Sequence, residues 1–197
     1  MKNLGEIAEV RAGYTVRKPE KGVPTVRYRV LQIKDVTADA ALDTANLATM
    51  NLPPVSDRYF LKHGDILFCA RGARNRAAVS EVEMEQVVVG AQFFVIQVKG
   101  DRLLPRYVAW YINQPTAQQY FSERASGSYV RMILVDDLLH LPVPVPPLKV
   151  QQQIAALHQL GLREQNLLER LRVKRMELLN GLCIDVAGGH KRISKGV

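Results

Sequence analysis

Leu141-Pro142-Val143-Pro144-Val145-Pro146-Pro147, and the proline-free run from Leu148 to Leu182 that follows it, decide how this chain is read. Proline lacks a backbone donor and its ring clashes with a preceding helical turn, so 141–147 is neither an interior strand nor a helix. It reads as an extended edge or a stiff connector. In the run that follows, Gly161 and Gly181 are the only glycines. Leu157, Leu168, Leu171, Leu178 and Leu182 fit alternating steps of three and four. The same register puts Gly161, Glu164 and Arg175 on the seam, so the heptad is imperfect. Leu160, Leu167 and Leu179 widen the stripe. A helix over 147–182 would be roughly 54 Å long at ~1.5 Å per residue. Such a helix must bury its stripe, and a partner helix is the cheapest cover. Packing onto its own globular domain is the alternative.

Upstream of the connector the periodicity is mixed. In 25–34, Val26, Tyr28 and Val30 alternate with Arg27 and Arg29, the pattern of a strand with one wet, basic face. The stretch 35–54, rich in Ala, Asp, Thr and Asn, reads as loop with a helical turn. His63-Gly64-Asp65 marks a turn before a buried strand, 66–70. Two short strands follow over 77–80 and 86–89, then a buried strand over 92–98. Tyr107, Val108, Trp110, Tyr111, Ile112 and Tyr120 recur at helical spacing. Pro115 splits that segment into two helices, and the spacing of Tyr107, Trp110 and Tyr111 suits a buried helix face. Val135–Leu139 suggests a short helix, with Asp136-Asp137 at its positive dipole end.

The 197 residues carry 27 Lys plus Arg against 19 Asp plus Glu, a formal net charge of +8. The hydrophobic fraction of 47% and charged fraction of 23% exclude disorder of the whole chain. No apolar run approaches the ~20 residues of a membrane span, and the first residues lack a signal-peptide core. A cytoplasmic location and no membrane partner are therefore expected. Residues 1–34 hold eight basic and three acidic residues, and 147–197 hold nine and four. Between these basic ends, Arg71-Gly72-Ala73-Arg74-Asn75-Arg76 holds three cations and no acid. Such charge raises the expectation of a polyanionic partner.

Catalytic patterns are missing. Phosphate-binding glycine motifs and H-E-x-x-H are absent, and His63, His140, His158 and His190 are scattered. Asn51-Leu52-Pro53-Pro54 lacks the aromatic residue and spacing of an amino-methyltransferase motif. Cys69 sits in an apolar strand as a small hydrophobe. Cys69 and Cys183 alone make neither a disulfide framework nor a four-ligand zinc site. Neither catalytic nor metal residues are assigned.

The order of these pieces resembles one repeat of the specificity (S) subunit of type I restriction-modification systems. The resemblance rests on Leu4-Gly5-Glu6-Ile7-Ala8-Glu9-Val10-Arg11-Ala12-Gly13, on Gly64-Asp65-Ile66-Leu67-Phe68, and above all on Leu141–Leu148 followed by Gln151-Gln152-Gln153-Ile154. Each stretch alone is weakly specific; their order across roughly 4–182 is more so. The resemblance implies an α+β fold. A mixed, strongly twisted small-sheet target-recognition domain (1–146) would precede a long helix that pairs as a coiled coil (147–183), ahead of a flexible tail (184–197). It implies a non-catalytic subunit that reads double-stranded DNA and holds methyltransferase (M) subunits, which methylate adenine with S-adenosylmethionine. A restriction (R) subunit that uses ATP can join. No cofactor is expected on this chain; S-adenosylmethionine and ATP belong to partner subunits. A full S subunit has two recognition domains and two antiparallel helices, so a single repeat calls for a homodimer, a companion chain, or a longer parent chain.

Reading duplex DNA needs cations for phosphates and side chains that reach base edges. Arg71 and Arg74 suit phosphates or guanine, Asn75 suits adenine, Gly72 allows close backbone approach, and Arg76 completes the cluster. Arg27, Arg29 and Lys34 form a second group; Ser128, Tyr129 and Arg131 form a third. A solvated loop or strand face is the alternative for each. Leu157, Leu168, Leu171, Leu178 and Leu182 would form the dimerisation seam, with Arg170, Arg172, Lys174 and Arg175 as solvated flanks or contacts to DNA or a methyltransferase. A coiled-coil adaptor that binds an acidic protein, or an RNA-binding protein, remains the alternative reading.

Overall fold

The computed structural model describes residues 1–16, 22–37, 39–71, 75–81, 86–125 and 132–188. In chain order the elements are β1 (Lys2–Asn3), α1 (Leu4–Ile7), β2 (Ala8–Ala12), β3 (Val26–Leu31), β4 (Ala48–Leu52), β5 (Ile66–Cys69), β6 (Ala77–Val79), β7 (Val87–Val89) and β8 (Phe93–Val98). Then come α2 (Pro105–Ile112), α3 (Pro115–Arg124), α4 (Val135–Leu139), β9 (Pro142–Val143) and α5 (Leu148–Ala187). Short 3-10 turns occupy Ile33–Asp35 and Asp57–Tyr59. The chain divides into two units, Met1–Ala155 and Ala156–Val197. The first eight residues of α5 thus belong to the first unit.

Two sheets build the first unit. One is antiparallel, in the order β2-β8-β5-β6; the other has the order β4-β3-β7, with β3 and β7 parallel. β5 is buried along its whole length because it is covered on both faces. Ile66 and Phe68 point into a core with Tyr107, Val108, Ile112 and Phe121 of α2 and α3. Leu67 and Cys69 point the other way, against Leu31, Val87 and Val89 of the second sheet. The far side of that second sheet buries Tyr28, Val30, Leu52 and Val88 beside Val55. The continuous apolar run in the sequence is therefore two alternating faces, each with its own cover.

The two sheets meet where backbones nearly touch. Gly13 N–H donates to Phe93 O, Tyr14 N–H to Val89 O, and Gly90 N–H to Leu31 O. A Cβ on Gly13 would lie 2.1 Å from Gly90 O. Only glycine fits this crossing.

The proline stretch behaves as expected of an edge. Pro142–Val143 pairs with Lys2–Asn3 in a two-stranded ribbon. Its carbonyls are held by side chains: Tyr107 Oη donates to Pro144 O at 3.0 Å and Tyr111 Oη to Pro142 O at 2.8 Å. Burial raises the pKa of both phenols, which keeps them protonated donors. At the start of α5, Gln151 is fully buried. Its Oε1 accepts from Leu104 N–H, while Nε2 donates to Arg102 O and Pro146 O. One side chain thereby satisfies three backbone groups and ties the base of α5 to the entry of α2.

One expectation needs correction. The stretch 35–54, read as loop, contains β4, which pairs antiparallel with β3 over five residue pairs. Its Ala, Thr and Asn content hid a strand whose alternation, Ala48-Thr49-Met50-Asn51-Leu52, is regular.

Candidate nucleic-acid interface

β3 and β4 present an exposed polar face. Arg27 lies opposite Asn51 and Arg29 opposite Thr49, and directly opposed residues project to the same side. All four are exposed. Further along the same side of β3, Leu31 is buried against the first sheet. The face thus begins as a wet ribbon with two guanidiniums, a carboxamide and a hydroxyl, and no acid. Those groups can neutralise phosphates and pair with base edges. Arg29 engages other groups of the chain as well. Thr49 and Asn51 were missed by reading 35–54 as loop. Lys34 lies nearby in sequence on the 3-10 turn Ile33–Asp35 and is exposed.

The arginine cluster separates into parts. Arg71 is exposed and bridges Met132 in an isolated antiparallel pair, extended by Ile133 N–H to Ala70 O at 3.0 Å. Gly72 and Arg74 lie outside the described residues, as do Ser128, Tyr129 and Arg131. The bridge nonetheless brings the described ends of those two segments together. Arg76 is half-buried, and its Nη1 donates to Thr37 O at 3.0 Å, two residues beyond the 3-10 turn that carries Lys34.

Asn75 takes a different place from the one expected of a base-reading side chain. It is 8% exposed, and its Nδ2 donates to Cys69 O at 3.0 Å. Its own carbonyl accepts from Gln118 Nε2 at 2.7 Å, and Cys69 N–H donates to Arg76 O at 2.8 Å. Asn113 continues the clamp, accepting from Ala77 N–H and donating to Ala77 O. The amide of Asn75 is spent on closing the base of the loop because burial there leaves no water to satisfy Cys69 O.

A partly buried ion pair joins β2 to the 62–65 turn. Asp65 is 1% exposed and accepts from Arg11 Nη2 at 3.2 Å, Lys62 N–H at 3.0 Å and Gln97 Nε2 at 2.7 Å. Gly64 makes the turn with φ +81°. Burial lowers the pKa of Arg11, and Asp65 opposes that shift. Beside it, the exposed Arg58 lies over the Tyr59 ring, 4.6 Å from its centroid.

On α5, the five seam leucines are 50–70% exposed. Two ion pairs along this helix run within it, Arg172 to Glu169 and Lys174 to Glu177. Among the described residues, no cluster of His, Cys, Asp and Glu could hold a metal, and no helix is long and apolar enough to cross a membrane.

Comparison with known proteins adds to this geometry. A family model described as type I restriction modification DNA specificity domain matches residues 1–171. A curated relative from Methanocaldococcus jannaschii, named as the type I restriction enzyme MjaX specificity subunit, is 26% identical over 166 residues, 79% of this chain and 37% of its own length. Similar solved folds include a chain from work on assembly and conformational transition of the type I R-M system. It has TM-score 0.64 and 18% identity, over 92% of this chain and 42% of that one. The HsdS subunit of Thermoanaerobacter tengcongensis has TM-score 0.58 and 17% identity, over 86% and 38%. The type I S subunit of M. genitalium has 0.55 and 14%, over 89% and 42%. At these identities the structural likeness is one of fold. The chain spans about two fifths of the length of these relatives.

Proposed function

This chain belongs to the type I restriction modification DNA specificity domain family, and on that premise we propose that it is a DNA-reading subunit with one recognition unit per chain. It binds double-stranded DNA through its first unit and pairs with a second copy through α5. Two copies related by a two-fold axis read two inverted half-sites. The dimer carries adenine methyltransferase subunits and, where one exists, a restriction subunit. Chemistry that needs S-adenosylmethionine or ATP belongs to those partners, and this chain contributes sequence recognition alone.

The observation that carries the reading is the exposed, acid-free face of β3 and β4, where Arg27, Arg29, Thr49 and Asn51 project together. The ends of the arginine loop and of the 126–131 segment, joined at Arg71 and Met132, extend the candidate surface.

The test is selection of bound sequences from a random pool of double-stranded DNA. Enrichment of one short sequence in inverted repeat, at a constant gap, is the expected result. A pool that emerges unenriched overturns it. Retention of an acidic protein without DNA would instead support the coiled-coil adaptor, and preference for single-stranded RNA would support an RNA reader.

A further inference from the structure

β6 is an edge of its sheet: it pairs with β5 on one side, and among the described residues no strand lies on the other. An edge strand presents backbone N–H and C=O groups outward at every second residue. At Ala77 both groups are met by one side chain. Asn113, which ends α2, accepts from Ala77 N–H through Oδ1 at 2.9 Å and donates from Nδ2 to Ala77 O at 2.8 Å. Two residues back along the same edge, Asn75 O accepts from Nε2 of Gln118 on α3 at 2.7 Å. The second hydrogen of that amide goes to Ile112 O, in the last residue of α2, at 2.8 Å. Two carboxamides thus stand where a neighbouring strand would, and they carry the extended run of β6 back into the arginine cluster. The other limb of that cluster is held by different elements. Ala70 N–H donates to Gln92 O at 3.1 Å, Ile133 N–H donates to Ala70 O at 3.0 Å, and Arg71 bridges Met132. Where Asn75-Arg76 lies relative to Arg71 therefore depends on what grips the 75–77 edge.

We propose that Gln118 is a positioning residue for DNA sequence readout: by gripping Asn75 O from α3 it aligns Arg76 with Arg71, so the base preference of this surface is set partly by a side chain that touches no DNA. This deepens the DNA reading proposed above and rests on it. Adhesion of β6 to the helices does not need the amide, because Ala77 is buried in the same apolar cluster as Ile112, Ala117 and Phe121. Apolar burial is non-directional and tolerates a slide of the backbone. A hydrogen bond weakens steeply when misaligned, so the amide fixes the limb along its length. Gln118 is half-buried, so water can satisfy Asn75 O and Ile112 O when the amide is removed. Its loss then costs the fold little and the alignment much.

The test uses the full chain and two duplexes: the sequence enriched from the random pool, and the same duplex with its half-sites scrambled. Gln118→Met keeps the length of the side chain and removes the donor. The ratio of the two affinities should fall about tenfold, the worth of one well-aligned two-point base contact. Affinity for the scrambled duplex and its salt slope should stay at the wild-type values, because no cation has been removed. Gln118→Glu supplies a second readout. Its carboxylate at neutral pH faces two carbonyl oxygens, and the ratio should fall at least as far. Below about pH 5 the new carboxyl gains a hydrogen and donates again, so the ratio should climb back towards that of wild type at the same pH, while Gln118→Met shows no such recovery. An unchanged ratio in folded Gln118→Met overturns the proposal. Equal loss of both affinities, with a lowered melting temperature, makes Gln118 a support of the fold and overturns it too. A wild-type protein that does not distinguish the two duplexes overturns the DNA reading itself, and the role of Gln118 falls with it.

Discussion

Asp65 shows how much can hang on one carboxylate. It accepts from β2 through Arg11, from β8 through Gln97, and from the 62–65 turn through Lys62 N–H. Asp65→Ala leaves the Arg11 guanidinium partly buried without its counter-charge, and should cost about 3–5 kcal/mol of stability in chemical denaturation. Cys69 makes a second prediction at this scale. Burial pushes its thiol up from 9.0 to about 11. A raised folded pKa means that the contribution is complete below pH 9 and disappears as pH climbs from 9 to 11. Unfolding free energy measured over that window should fall, and Cys69→Ala should flatten part of the fall. The contacts of Asp65 with Arg11 and Gln97 were not legible in the sequence, because hydrogen-bond partners 54 and 32 residues away leave no periodic trace.

Elements were legible to the degree that their periodicity survived composition. The buried strands 66–70 and 92–98 and the two helices parted by Pro115 match β5, β8, α2 and α3 closely. Their apolar content is set by burial on two sides or by one helix face. β4 escaped because small polar residues fill its exposed positions. Half of the β3–β4 face was therefore visible beforehand, as Arg27 and Arg29, and half was supplied by pairing. The combined variant Arg27→Ala/Arg29→Ala should leave the fold intact, since both side chains project outward. It should weaken duplex binding, and the slope of log affinity against log salt should become shallower by about 2 if both contact phosphates. An unchanged slope with lost sequence preference would assign them to bases instead. Asn75 teaches the opposite lesson. Its residue type suits adenine, but its environment spends the amide on Cys69 O.

At the scale of the whole molecule, the unburied leucines of α5 ask for a partner. Burying a leucine is worth roughly 1.5–3 kcal/mol, and Leu171 sits beside the centre of the seam. Leu171→Glu should convert the dimer to monomer by light scattering. Those monomers should lose affinity for a two-half-site target and keep weak binding to one half-site. Loss of both would mean that α5 also supports the fold of the first unit.

The sequence by itself determined the buried strands β5 and β8, the helices parted by Pro115, the proline edge, the long helix and its leucine stripe, and the basic character of the chain. These are properties of neighbours in the chain, set by local sterics and the periods of strand and helix. Tertiary structure decided which side chains share a surface. Pairing of β4 with β3 put Asn51 and Thr49 beside Arg27 and Arg29, the Gly13–Gly90 crossing locked the two sheets together, and burial withdrew Asn75 from the surface. The physical reason is that a surface is assembled by contacts between distant segments, whose energies depend on what is left exposed once the core has closed.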